Sequence, residues 1–307
     1  MDIRPTAPAS RRTSSPATTS RTPSRATSRT PSSATASRIP RRNGGPAGLA
    51  VLAAVTELRS SLRTPEFAVG AIAVPVLLYA MFGLPNAAST LVGGSTRVGL
   101  AMLVSMSAYG VVSLAIFTFG EDIAKERGRG WTRTLRATPV PTWVYLVGKT
   151  ANAVVLATLI VVTMSAVAGL AGGVELTPGS WLALGVTMVA GVLAFSTVGF
   201  AIAYVARPRA AAVIANLIFL PLAFASGFFV PLGELPQVLR DIAAYLPTSH
   251  YGQLAYRVVM PDADVELWTG AATRPLWIHV AWVVGAAVVL GVAALLAARR
   301  EAVTRRG

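Results

Sequence analysis

Six long apolar runs separated by short polar segments set the frame of this chain: 67–84, 98–119, 142–171, 179–205, 210–230 and 275–298. Each holds about 18 residues or more, enough for a helix rising ~1.5 Å per residue to cross ~30 Å of hydrocarbon. Strands of a transmembrane barrel alternate apolar and polar positions. The run Val154-Val155-Leu156-Ala157-Thr158-Leu159-Ile160-Val161-Val162 does not alternate. A segment in lipid must satisfy its own backbone hydrogen bonds, and a helix does so alone. The pattern predicts an all-α polytopic membrane protein with six transmembrane helices.

Weaker periodicity precedes the first run. Leu49, Leu52, Ala53, Thr56, Leu58 and Leu62 make a rough apolar face, with Glu57, Arg59 and Arg63 read as the polar one. An amphipathic helix over 45–66, lying along the membrane interface, is expected.

Charge orients the spans. Lys125, Arg127, Arg129, Arg133 and Arg136 fall between runs two and three, Arg207 and Arg209 between four and five, and Arg299, Arg300, Arg305 and Arg306 after run six. The alternate loops are poor in positive charge, and 231–274 holds three Arg against five acids. The positive-inside rule puts both termini in the cytoplasm. The expected domains are a cytoplasmic tail over 1–44, the interfacial helix, a transmembrane domain over 67–298 and a cytoplasmic tail over 299–307.

Composition agrees with this frame. The chain is 53% hydrophobic, with mean hydropathy +0.59, and 13% charged, against about 25% in a soluble domain. Arg in place of Lys and abundant Ala suggest a GC-rich bacterial genome. There is no Cys, so disulfide and thiolate chemistry are excluded. His250 and His279 are too few for a His-rich metal site, and His279, inside run six, is expected to be neutral and hydrogen-bonded or interfacial.

Residues 1–44 carry nine Arg and one Asp among Ser, Thr, Pro and Ala, and Ser20-Arg21-Thr22-Pro23-Ser24 recurs as Ser28-Arg29-Thr30-Pro31-Ser32. Such a segment cannot bury enough surface to offset ordering entropy, so disorder is expected. It lacks the apolar core of a signal peptide, so retention is expected. No aromatic residues interleave for base stacking, which argues against nucleic acid.

Gly148-Lys149-Thr150 echoes the end of a phosphate-binding loop, but Trp143 stands where the leading Gly is required. Lys149 is expected to snorkel to the headgroups. No catalytic constellation is visible. The spans hold no Asp or Glu well inside, which disfavours an ion-coupled secondary transporter and a membrane-embedded enzyme.

The segment Gly120 to Pro141 packs charges of both signs around Ile123, Trp131, Leu135 and Val140. Together with Thr134-Leu135-Arg136-Ala137-Thr138-Pro139-Val140 and Tyr145-Leu146-Val147-Gly148-Lys149, it resembles the loop between spans two and three of ABC-2-type transporter permeases. Asn216-Leu217-Ile218-Phe219-Leu220-Pro221 through Phe228-Phe229-Val230-Pro231 resembles their fifth span, and Glu234-Leu235-Pro236 and Tyr245-Leu246-Pro247 follow in kind. The likeness covers about 50–300 and is closest to daunorubicin-type drug-exporter permeases.

The resemblance implies a membrane subunit that pairs with a second permease protomer, an identical chain in a homodimer, and with a soluble ABC ATPase. ATP and Mg bind on that ATPase, and no cofactor is expected on this chain. A cytoplasmic coupling helix after span two maps to Glu121, Glu126, Arg127, Arg129, Trp131, Leu135 and Arg136. Spans one, two and five line the path in the family, giving Tyr79, Tyr109, Ser113, Phe117, Asn216 and Phe224 as candidates here. A short re-entrant helix is expected after span five, with Leu235, Val238, Leu239, Ile242, Tyr245 and Leu246 on one face. Ser226, Gly227 and Pro231 are the candidate outer gate. The expected cargo is apolar or amphipathic and drug-like, with a lipid or polysaccharide precursor as the alternative, and the expected location is the bacterial inner membrane.

Overall fold

The computed structural model describes residues 46–63, 65–131, 134, 137–138 and 141–304. The tail over 1–44, Leu135 and Arg136 lie outside the described residues. Among those described, all extended secondary structure is helical. Helix α1 (Pro46–Leu62) leads to α2 (Pro65–Leu78), which continues through a π turn at Tyr79–Gly83. Helix α3 (Val98–Phe117) continues through a second π turn, Thr118–Asp122, into α4 (Ile123–Gly128). Then come α5 (Thr142–Leu170), α6 (Pro178–Val205) and α7 (Ala211–Ala225). Three short helices follow: α8 (Gln237–Ala243), α9 (Pro247–Val259) and α10 (Asp262–Thr269). Helix α11 (Leu276–Thr304) closes the chain.

Five helical stretches are long and apolar enough to cross a membrane: Val69–Asn86, Val98–Gly128, Trp143–Leu170, Pro178–Val205 and Leu276–Arg300. The protein is a polytopic membrane protein. The fifth apolar run departs from expectation. Its helix stops after 15 residues, roughly 22 Å at 1.5 Å per residue, short of the hydrocarbon thickness. The cause is a left-handed Gly227 (φ 77°). The Phe228 N–H donates to Ala223 O at 3.1 Å and the Gly227 N–H to Phe224 O at 3.1 Å. That bond pair is a Schellman stop, in which Gly takes a conformation other residues resist.

Helix α3 is the hub. Of its residues, Leu103, Val104, Met106, Val111, Val112, Ala115 and Ile116 are all at 0% exposure, and it packs against α2, α5, α6 and α7. Its contact with α6 is backbone to backbone. A Cβ on Gly199 would lie 2.7 Å from Phe119 Cβ and 2.9 Å from Ala115 O. Small residues at such crossings let helices approach closely enough for dispersion to act without a hydrophobic drive. Helix α11 is peripheral, lying on α6 and α9.

The ends of the bundle are fixed by crosslinks. At one end Lys149 of α5 bonds Glu57 of α1. At the other, Asp264 of α10 accepts from the backbone N–H and side-chain hydroxyl of both Ser95 and Thr96, just before α3. Tyr251 of α9 donates to Met188 O of α6 at 2.7 Å.

Segment 231–274 is richer than the sequence pattern predicts. The expected single helix is the seven-residue α8. Its apolar stripe points away from the chain, with Val238 68%, Ile242 44% and Tyr245 68% exposed. Helices α9 and α10 were unforeseen; their buried faces are Tyr251, Ala255 and Tyr256, and Val265 and Trp268.

Candidate functional site

The hairpin after α3 carries the residues expected to couple to a soluble ATPase. The fold distributes them differently. Glu126 of α4 accepts from the Tyr145 hydroxyl and from Lys149 Nζ at 2.7 Å. Lys149 also holds Glu57 at 2.5 Å, and its side chain is only 3% exposed. Two carboxylates therefore share one buried ammonium, which suits an ion that burial would otherwise penalise. Lys149 does not snorkel outward as expected, because both anions sit inside the chain.

Arg127 is 8% exposed and its guanidinium lies 4.9 Å from the centroid of the Tyr204 ring on α6. Glu121 pairs with Lys125 one helical turn on, at 2.5 Å. Arg129 is exposed in the turn after α4, and Trp131 is 45% exposed. Of the coupling candidates, Glu126 and Arg127 thus face into the bundle, whereas Arg129 and Trp131 face outward. Leu135 and Arg136 lie outside the described residues.

Helix α1 is rotated from its expected face. Leu49, Ala53, Glu57 and Ser61 are half-buried, while Leu52 and Leu62 are 62% and 57% exposed. Asn152 donates to Ser61 Oγ at 2.9 Å, adding a second tie to α5. Beside it, Leu49, Leu52, Ala53, Trp131, Val144 and Tyr145 border a largely apolar groove of about 410 Å³. The i, i+4 spacing of Ala53 and Glu57 already put them on one face; that was the signal for Glu57, and the charge-based assignment overrode it.

The path candidates separate into two groups. Phe117, Tyr109 and Phe224 belong to a ladder of rings: Phe117–Phe219 at 5.6 Å, Phe219–Tyr109 at 5.2 Å, Tyr109–Phe229 at 5.1 Å and Phe229–Phe224 at 4.5 Å. These tilted and edge contacts are the favoured geometry for aromatic pairs. The ladder joins α3 to α7 and the turn beyond it, and Phe224 is 48% exposed. Ser113 lies on α3 and donates to Gly110 O at 2.9 Å. Asn216 is exposed on α7, its amide donating to Ala212 O. Tyr79 stands apart: it is fully buried, with its hydroxyl donating to Gly99 O at 3.2 Å. It is a core residue and reaches no surface here.

The gate candidates are packed rather than loose. Ser226 is 4% exposed and hydrogen-bonds the Thr248 hydroxyl of α9, Gly227 forms the stop described above, and Pro231 is buried. Nearby, His250 and His279 meet through their Nδ1 atoms at 2.8 Å, and His250 stacks on Trp282 at 5.3 Å. His250 Nε2 faces Ala244 O at 3.1 Å. A carbonyl only accepts, so this nitrogen carries the proton and His250 Nδ1 accepts from His279. Burial, with Arg274 adding to it, pushes the His250 pKa below its ordinary value, against the opposing pull of the Ala244 carbonyl.

Comparison with known proteins fits this architecture. Residues 89–296 match the model of the ABC-2 family transporter proteins. YvfS of Bacillus subtilis (strain 168), named as a transport permease, is 26% identical over 205 residues, covering 67% of this chain and 83% of its own. YbhR of Escherichia coli (strain K12), named as a multidrug ABC transporter permease, is 24% identical over 194 residues, covering 63% of this chain and 47% of its own. The chain belongs to the ABC-2 transporter family. It is a permease subunit, a multi-pass membrane protein of a bacterial ABC transporter family with no ATPase activity of its own, and such permeases pair with an ATPase subunit.

Proposed function

We propose that this permease exports an apolar or amphipathic, drug-like compound, powered by a separate ABC ATPase, as one half of a homodimer. The observation that carries the reading is the uncharged ring ladder Phe117–Phe219–Tyr109–Phe229–Phe224, whose exposed end at Phe224 offers a π face to a hydrophobic cargo. The name of YbhR, a multidrug permease, and the likeness to daunorubicin-type exporters point the same way. Six crossings follow if α7 and the turn after it complete the fifth, with α8 as the re-entrant element and both termini cytoplasmic. The 45–66 helix and the hairpin after α3 then receive the ATPase. Arg129 and Trp131, with Glu121, face it, while Glu126 and Arg127 transmit its movement into α5 and α6.

The test is transport. The permease and its ATPase are co-reconstituted in proteoliposomes and assayed with doxorubicin, a fluorescent phospholipid and an undecaprenyl-linked sugar. ATP-dependent movement of doxorubicin alone supports the reading, and movement of only the lipid-linked cargos overturns it. For orientation, the absence of Cys makes a single Arg129→Cys label unambiguous. Labelling from outside intact cells would reverse the topology.

A further inference from the structure

A small, partly open cavity lies where α8, the first turn of α9, the end of α10 and the segment before α11 meet. Its volume is about 40 Å³. That is room for one monatomic ion or one to two waters, and a tetrahedral oxyanion is larger. Its polar lining is Arg240, Ser249, His250, Gln253, Thr269 and Arg274.

Two buried donors in this lining are without partners. Ser249 is 2% exposed, and its buried hydroxyl has no hydrogen-bond partner; the buried Nε of Arg240 has none either. Unmet buried donors are costly. The Thr269 hydroxyl donates to Val265 O at 2.8 Å, so it does not compete for the space. His250 is neutral in the tautomer set by Ala244 and His279, and its protonated nitrogen is occupied.

Charge points the same way. Arg240 and Arg274 both line the cavity, and among the described residues no carboxylate does. Asp241 accepts from Gln237, whose amide oxygen in turn accepts from Arg240 Nη2 at 2.6 Å, while Asp262 is held by Arg257 and Glu266 by Thr273. Ser249 and His250 also belong to the first turn of the 13-residue α9, whose amide field is positive.

We propose that this cavity binds a single halide, chloride under ordinary conditions, held by Arg240 Nε and Ser249 Oγ and balanced by the Arg240 guanidinium. Water could accept from the same two donors, but it brings no charge to set against the half-buried Arg240 guanidinium; Arg274 is exposed and meets solvent. The ion ties α8 to α9 and braces segment 231–274 against the start of α11.

The test uses the full-length permease in detergent, titrated from sodium gluconate into sodium chloride at constant ionic strength while the thermal midpoint is read. Bromide is run in parallel, with sulfate as the oversized control. Chloride and bromide raise the midpoint and sulfate does not. Above the dissociation constant, each tenfold rise in chloride raises the folded-to-unfolded ratio about tenfold. Ser249→Ala weakens this response and Arg240→Gln abolishes it. A midpoint equal in chloride and gluconate overturns the proposal and leaves water as the occupant, and so does a response unchanged in both variants. Should Arg240→Gln fail to fold, anomalous scattering from a bromide-soaked crystal of the unaltered protein decides: a peak beside Arg240 Nε supports the site, and its absence overturns it.

Discussion

Lys149 Nζ lies 2.7 Å from Glu126 Oε1, joining the start of α5 to the short helix that ends the α3 rod. Glu57 from α1 reaches the same ammonium. Three elements distant in sequence thus converge on one cation, and the hairpin after α3 is bound to the bundle rather than hanging from it.

Removing the cation should be worse than removing one anion. Lys149→Met leaves Glu57 and Glu126 facing each other, and breaking a buried pair costs about 3–5 kcal/mol. The partners' partial exposure places this case at or below the lower end. The double variant Lys149→Met with Glu126→Gln should recover part of the loss. Thermal unfolding in detergent measures both, and a double variant no better than the single one would refute the shared-cation reading.

Coupling should follow the outward residues. Arg129→Ala with Trp131→Ala is expected to lower co-purification of the ATPase with the permease fold intact. Glu126→Gln should lower stability and transport yet leave ATPase capture nearly unchanged. Pull-down yields beside unfolding midpoints tell the two apart. Loss of capture in Glu126→Gln at an unaltered midpoint would return that residue to the contact surface.

The stop after α7 should resist substitution. Gly227 has φ 77°, and a Cβ there would lie 2.5 Å from Leu232 Cγ. Gly227→Ala is expected to cost about 1–3 kcal/mol through backbone strain. Hydrogen exchange at the Phe228 amide, which donates to Ala223 O, should quicken in the variant.

Acid should loosen the His250 end. Because the folded protein holds His250 below the ordinary imidazole value of 6.5, its neutral form favours folding. That contribution is present above about pH 6.5 and is lost as pH falls through the lower folded value. Arg274 beside His250 adds to the penalty on protonation, and the Ala244 carbonyl opposes it. His250→Asn should flatten the dependence of the thermal midpoint between pH 7.5 and 5. An unchanged slope would assign the dependence to other groups.

Asp264 should behave with the same sign at lower pH. Burial alone would raise its pKa, but bonds from Thr96 and Ser95 outweigh it and hold the carboxyl below the ordinary range. Asp264→Ala removes several charge-assisted bonds, each worth about 1.5–3 kcal/mol, and should free the turn before α3. The Thr96 amide should then exchange faster, while Asp264→Glu retains part of the protection.

The hydrophobic pattern alone determined the solvent, the helical class and the positions of the long helices, because in lipid a helix is the only spanning form a single apolar segment can adopt. The quoted loop and fifth-span residues carried the family. Tertiary structure decided what the polar side chains do. Charge counts placed Glu126, Arg127 and Lys149 on a surface, yet their partners Glu57, Tyr204 and Tyr145 lie on other helices, and no local spacing announces a contact across 92 residues such as Lys149–Glu57. Helices α9 and α10 escaped notice for a related reason. They are tied down by the bond from Tyr251 of α9 to Met188 of α6 and by the bonds that Asp264 of α10 accepts from the turn before α3, contacts that exist only once the bundle has assembled.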